Sequence, residues 1–239
     1  MKILVTNDDG IRSEGILILA ELALQFGQVT VVAPKDQCSA MSHRITISRP
    51  LSFEQTSFPV AGIESAWQVE GTPADCVKAG VEYVFGDDRP DIVFSGINNG
   101  YNAGTEILYS GTVGAAMDAL TYGIPAIAYS ISMNYEFSAI RHFFKAVTEE
   151  VLARELDRGE MWNINVPGVP WEAVSGIRYD RFPASVPYYH DYYEFVEGEN
   201  GICSMQAVFS DSDSGQEGSD IEALAQGCIS VGKLRSMVV

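Results

Sequence analysis

The chain is poor in cationic charge, poor in histidine and free of long apolar runs. Of its 239 residues, 15 are Lys or Arg and 32 are Asp or Glu, for a net charge of -17. That balance excludes broad electrostatic binding of nucleic acid, which needs a basic face, so DNA is not an expected partner. No apolar stretch reaches the roughly 20 residues that span a bilayer, and no membrane role is expected. Cys38, Cys76, Cys203 and Cys228 form no CxxC pair, and His43, His142 and His190 are equally scattered. A His/Cys zinc cluster and a disulfide frame are thereby excluded, and the cysteines read as reduced thiols of a cytoplasmic protein. No basic region or cleavage site precedes the first strand, which predicts no signal peptide. No glycine-rich dinucleotide fingerprint follows that strand, so an NAD enzyme is a poor reading.

What is present is a core and a rhythm. Hydrophobic residues make up 46% of the chain, enough for a sizeable interior. Strand patterns at Lys2–Val5, Val29–Ala33, Asp91–Phe94, Ala126–Tyr129 and Met161–Val166 alternate with helical patterns at Glu14–Phe26, Pro73–Phe85, Val113–Leu120 and Tyr135–Leu156. Arg44–Ser48 also alternates as a strand would. This order predicts an α/β fold, a Rossmann-like and mostly parallel sheet with helices on both faces. From Pro167 the character changes to prolines, a tyrosine cluster (Tyr188, Tyr189, Tyr192, Tyr193), a β-like run at Ser204–Phe209, a polar loop and a helix at Asp220–Gln226. Nine acidic and no basic residues lie between Phe182 and Gly232. A core of residues 1–170 and an arm of residues 171–239 are expected. The arm packs on the sheet or on another subunit, and its tyrosines read as subunit interface or as an aromatic rim that stacks on a base.

The first strand ends in Thr6-Asn7-Asp8-Asp9-Gly10. Ligands of open α/β sheets bind at the carboxyl ends of strands. Two carboxylates at roughly 4 Å repel by about 1 kcal/mol in water and about 4 kcal/mol at an effective dielectric near 20. A partly dry edge therefore needs a cation, or keeps one acid protonated. Mg²⁺, which takes oxygen ligands and holds phosphates, suits such a place; simple capping of the next helix is the alternative. Four further segments fall where this sheet puts its loops. Cys38-Ser39-Ala40-Met41-Ser42 offers hydroxyls to a hard cation or a phosphate, or is only a loop. Thr72 caps a helix with Pro73 in its first turn. Ser95-Gly96-Ile97-Asn98-Asn99-Gly100-Tyr101-Asn102 offers close backbone approach and neutral oxygens. Tyr109-Ser110-Gly111-Thr112 opens a helix, whose free N–H groups bind anions or are simply capped.

Taken together, NDDGIRSEGI (7–16), VVAP (31–34), Ser39, GTPADCV (71–77), PDIVFSGINNGYN (90–102), YSGTVGAAM (109–117), GIPAIAYS (123–130), NINVP (163–167) and GSDIEALAQGCIS (218–230) resemble the SurE family of stationary-phase survival proteins. The resemblance runs from the first strand almost to the C-terminus. It implies a metal-dependent phosphomonoesterase that hydrolyses nucleoside 5'- and 3'-monophosphates, with short polyphosphate a further substrate. It implies one divalent ion per subunit, Mg²⁺ or Mn²⁺, held by Asp8, Asp9, Ser39 and Asn98, with Asp8 and Asp9 the catalytic pair. Phosphate would be bound by Asn102, Ser110, Gly111 and Thr112, and water would attack phosphorus in line. It also implies a homodimer or homotetramer with exchanged C-terminal arms.

Two segments depart from the family pattern. Where the family usually reads Arg-Ser-Gly, this chain has Cys38-Ser39-Ala40, which removes a positive charge and a flexible glycine. Gly232-Lys233-Leu234 replaces the usual Thr-Pro-Leu. The first departure leaves room for an alternative, a nucleotide-binding regulatory module with little turnover. No histidine lies in a motif that marks a general acid; His43 is the nearest in sequence to Ser39, and packing or surface is the plainer reading for it.

Overall fold

A computed structural model describes residues 1–189, 192–197, 203–208 and 215–237. Eleven strands and five α-helices lie within them. The strands are β1 (Lys2–Thr6), β2 (Gln28–Pro34), β3 (Phe53–Gln55), β4 (Ser65–Val69), β5 (Ile92–Asn99), β6 (Ala126–Ile131), β7 (Glu160–Val166), β8 (Gly176–Arg181), β9 (Tyr192–Glu197), β10 (Cys203–Val208) and β11 (Cys228–Arg235). The helices are α1 (Glu14–Ala23), α2 (Pro73–Ala79), α3 (Gly111–Thr121), α4 (Ser138–Leu152) and α5 (Asp220–Ala225). Nine strands form one sheet in the order β3-β4-β2-β1-β5-β6-β7-β11-β8. Only the β3/β4 and β11/β7 pairs are antiparallel. No helix among the described residues is long and apolar enough to cross a membrane.

Period-two alternation in the central strands feeds two cores, one on each face. Ile3, Val5, Val31, Phe94, Ile127 and Ile164 point to one, with α1 and α4. Leu4, Val32, Val93, Ala126 and Ala128 point to the other, with α2 and α3. Near-continuous apolar strands are what a sheet covered on both sides requires. Ala115, Ala116 and Ala119 let α3 lie close on β5 and β6. Chain order runs from β1 to β2 on one side, then crosses to β5 on the other. The crevice at the carboxyl ends of β1 and β5 is thus a topological switch point, where open α/β sheets bind ligands.

The expected mostly parallel α/β sheet is present, with three local differences. Arg44–Ser48 is not a strand: Ile47 is 85% exposed, and the Thr46 N–H is taken by Asp75 Oδ1 at 2.9 Å rather than by a neighbouring strand. The helix begun at Pro73 stops being α-helical at Ala79 and widens into π-helical turns over Gly80–Phe85. The chain beyond residue 170 divides. β8 and β11 extend the main sheet, because Ile229 and Val231 bury in its core, whereas β9 and β10 pair only with each other. Ser210 to Ser214 of the polar loop and His190 lie outside the described residues.

Candidate active site

β1 delivers Asp8 and Asp9 to the switch point. Asp8 is buried and Asp9 half-buried. Asp8 Oδ1 accepts from the Thr112 hydroxyl at 2.6 Å, across from the first turn of α3. Gly111 makes that approach possible: a Cβ there would stand 2.8 Å from Asp8 Cβ, 3.0 Å from its Oδ2 and 3.1 Å from Pro73 Cγ. Burial pushes Asp8 up to about 6, with the Asp9 charge adding to it, while the Thr112 hydroxyl and N–H act against the rise. Burial also raises Asp9; the Asn99 N–H and the Gln37 amide oppose it only weakly, at 3.3 and 3.4 Å.

β2 delivers the serine loop. The Cys38 N–H donates to the Asp8 carbonyl at 2.7 Å, which fixes where the loop starts. The Gln37 amide donates to Ser39 Oγ at 2.9 Å as well as to Asp9, so the exposed Ser39 hydroxyl and the Asp9 carboxylate share one neighbour. Ala40 has φ +56, a left-handed value that suits the glycine usual in the family pattern. β5 delivers Asn98 and Asn99. Asn98 donates its amide to the Gly100 carbonyl at 2.8 Å, and Asn99 turns its N–H to Asp9. Residues 8, 9, 39, 98 and 112, spread over half the chain, thus share one edge.

Phosphate-type donors stand beside them at the start of α3. Ser110 is the N-cap, its Oγ accepting the Val113 N–H at 3.0 Å. The N–H groups of Gly111 and Thr112 are the first of the helix and have no intrahelical acceptor. Asn102 is placed differently from the open donors around it. It is buried, donates its amide to Ser130 Oγ at 2.8 Å, and has its backbone carbonyl gripped by Asn163 and Asn165 at 2.8 and 3.1 Å. Its own N–H donates to Asn165 Oδ1 at 2.8 Å.

Sequence reasoning missed the residues that hold these loops. Gln37 carries no motif signal. Asn163 and Asn165 lie in a strand whose apolar neighbours hide their inward amides. Glu106 accepts the Tyr188 and Tyr189 N–H groups at 2.8 and 3.3 Å, and the Tyr101 N–H donates to the Tyr189 hydroxyl at 2.9 Å. Asp220 accepts from Gly104, Ala184 and Ile221 at 2.8 to 2.9 Å, and burial raises its carboxyl despite these bonds. Of the tyrosine cluster, Tyr188 and Tyr189 therefore pack on Tyr101 of their own chain; the side chains of Tyr192 and Tyr193 lie outside the described residues.

Among the described residues no group of three or more His, Cys, Asp and Glu could hold a metal. A cation at this edge would draw on two carboxylates and neutral oxygens. The donors present fit a hard divalent ion, since the only charged ones are the two acids that burial leaves poorly compensated.

The family model described as survival protein SurE matches residues 3–186. The chain is 47% identical over 184 residues to the 5'-nucleotidase SurE of Desulfatibacillum aliphaticivorans, covering 76% of this chain and 71% of that protein. It is 38% identical over 235 residues to the 5'-nucleotidase SurE of Heliobacterium modesticaldum, covering 97% and 85%. The crystal structure of the SurE protein from Aquifex aeolicus superposes with a TM-score of 0.84 at 31% identity, covering 100% of this chain and 95% of that one.

Proposed function

The chain belongs to the SurE family, and we propose that it is a 5'-nucleotidase, a phosphoric monoester hydrolase that depends on a divalent metal ion. The observation that carries this reading is the Asp8–Asp9 pair, both acids raised by burial, with Asp8 hydrogen-bonded to Thr112 in the first turn of α3. Asp8, Asp9, Ser39 and Asn98 would hold Mg²⁺ or Mn²⁺, one per subunit. Bound there, the ion supplies a Lewis acid and lowers the pKa of a water.

The remaining work falls to the chain. The Gly111 N–H group and the Ser110 hydroxyl bind the non-bridging phosphate oxygens and stabilise charge as it builds, while Thr112 holds Asp8 beside them. Asn102 holds the loop between Asn98 and these donors. Asp9, whose oxygens have only long contacts, takes the proton of the water that attacks phosphorus in line. The P–O bond to the nucleoside breaks on the opposite side, and the departing nucleoside oxygen takes its proton from solvent water. Nucleoside 5'-monophosphates are the first substrates, with 3'-monophosphates and short polyphosphate as extensions of the same chemistry. Oligomerisation through the arm is supported by the β9/β10 hairpin, where Phe195 is 72% and Met205 61% exposed.

Phosphate release from a panel of 5'- and 3'-monophosphates and tripolyphosphate, run beside Asp8→Asn, tests the reading. Release from 5'-nucleotides by the wild type and not by the variant is expected. Binding of AMP without release, in saturating Mn²⁺, would make the protein a binding module instead.

A further inference from the structure

Another buried carboxylate, Asp118, lies on α3 six residues beyond Thr112. Its Oδ1 is 2.9 Å from His43 Nε2 and 3.1 Å from Lys78 Nζ, and its Oδ2 is buried with no hydrogen-bond partner among the described residues. Burying a carboxylate costs several kcal/mol unless its partners are well placed, and apolar replacements of such pairs are often as stable. Bulk stability is therefore a poor explanation for this acid. What it joins is more telling: α2 through Lys78, and the serine loop through His43.

The same stretch of loop is fastened twice more. The Ser42 N–H donates to the Tyr109 carbonyl at 2.9 Å, and the Ser42 hydroxyl to the Leu108 carbonyl at 2.8 Å. Gly114 admits the loop to the helix surface, since a Cβ there would run into the Ser42 carbonyl and stand 3.0 Å from His43 Cα. Ser42–His43 thus grips the 108–118 segment on both sides of Ser110-Gly111-Thr112, three residues after Ser39. Between Ser39 and this grip the backbone is left-handed at Ala40 and Ser42, with φ +56 and +52. Such residues cost roughly 1–2 kcal/mol each and persist where surrounding contacts over-determine them.

We propose that Asp118 is a positioning residue for phosphate hydrolysis: through His43 it pins the Ser39 loop to α3, so that the Ser39 hydroxyl and the phosphate-binding turn keep one fixed spacing. This rests on the assignment of Ser39 as a cation donor. The tie acts on the loop's geometry and leaves the reacting atoms untouched.

The test is calorimetric Mn²⁺ binding to metal-free wild type, Asp118→Asn, Ser39→Ala and the double variant, with amide exchange across residues 39–43. Asp118→Asn should bind Mn²⁺ about tenfold more weakly, as loss of a residue that orients a ligand does, and should speed exchange at residues 40–43. In the Ser39→Ala background it should change Mn²⁺ binding no further, because the donor it positions is gone. His43→Ala, which cuts the same tie from its half-exposed side, should reproduce the weaker binding if Asp118→Asn folds poorly. Wild-type affinity in Asp118→Asn or in His43→Ala, or losses that add in the double variant, would overturn the proposal. A wild type that binds no Mn²⁺ would instead overturn the cation site on which it rests.

Discussion

At the end of β1 one carboxylate, Asp8, is buried and the other, Asp9, half-buried, and the contacts of Asp9 are 3.3 and 3.4 Å long. Three residues beyond the end of β5, Asn102 has short bonds on its amide, its N–H and its carbonyl. Asp220, below that loop, accepts three backbone N–H groups. Both regions are polar and largely buried, yet Asp9 has only long contacts while Asn102 and Asp220 have short ones, although Asn163 Oδ1 beside Asn102 has no partner among the described residues. Buried polar groups normally find partners, so the short-bonded region reads as scaffold and the loosely held Asp9 as the place where a ligand completes the set.

The largest effect should come from neutralising the loosely held acid. Asp9→Asn should lower phosphate release more than about 100-fold, beyond the loss typical of a residue that only supports a ligand, while circular dichroism stays native. Retained turnover would erase the distinction between the two regions.

Acid titration sharpens it next. Asp8 stands at about 6 in the fold against an ordinary 3.8. A raised acid binds its proton more tightly when folded, so stability is greatest below pH 3.8 and falls as pH rises through about 6. In metal-free protein the cost above pH 6 is about 3 kcal/mol. Urea unfolding of wild type and Asp8→Asn between pH 4 and 7.5 should diverge over that window, and Mn²⁺ at pH 7 should close the gap. Parallel curves would mean that Asp8 is not held in a dry site.

Gly111→Ala drives a methyl group against Asp8 and Pro73. Overpacking of this kind costs about 1–3 kcal/mol, and activity should drop with it as α3 is pushed off the acid pair; equal melting temperatures would deny the close approach. On the short-bonded side, Tyr189→Phe takes an acceptor from the Tyr101 N–H, a loss of about 1–3 kcal/mol. Amide exchange at Tyr101 should quicken while the metal requirement is unchanged. Smallest is Ala40→Gly, which relieves a left-handed residue at roughly 1 kcal/mol and gives most of that back in unfolded-state entropy. Its melting temperature should move by a degree or two at most.

The central sheet was legible because both of its faces are buried. Lys2–Val5 and Ala126–Tyr129 carry apolar runs that only a covered parallel strand explains, and the observed β1 and β6 contain them. Arg44–Ser48 has the same alternation and forms no strand, since alternation marks a possible face and cannot supply a neighbour to pair with. The acids, the serine and the opening of α3 were legible as motifs because their chemistry is local. Gln37 and Glu106 carried no motif, and Asn163, Asn165 and Asp220 fell in quoted motifs without a legible role, because each acts on a backbone group or side chain far away in sequence. A helix carboxylate such as Asp118 looks like any surface acid until His43 and Lys78 are seen beside it.

The most direct measurement is phosphate release from AMP by wild-type protein stripped with EDTA and then given Mn²⁺ or Mg²⁺, beside Asp9→Asn. Release should be absent in EDTA, return with either ion in the wild type, and fail to return in the variant. Release that persists in EDTA, or that the variant recovers in full, would contradict a cation held by the Asp8–Asp9 pair.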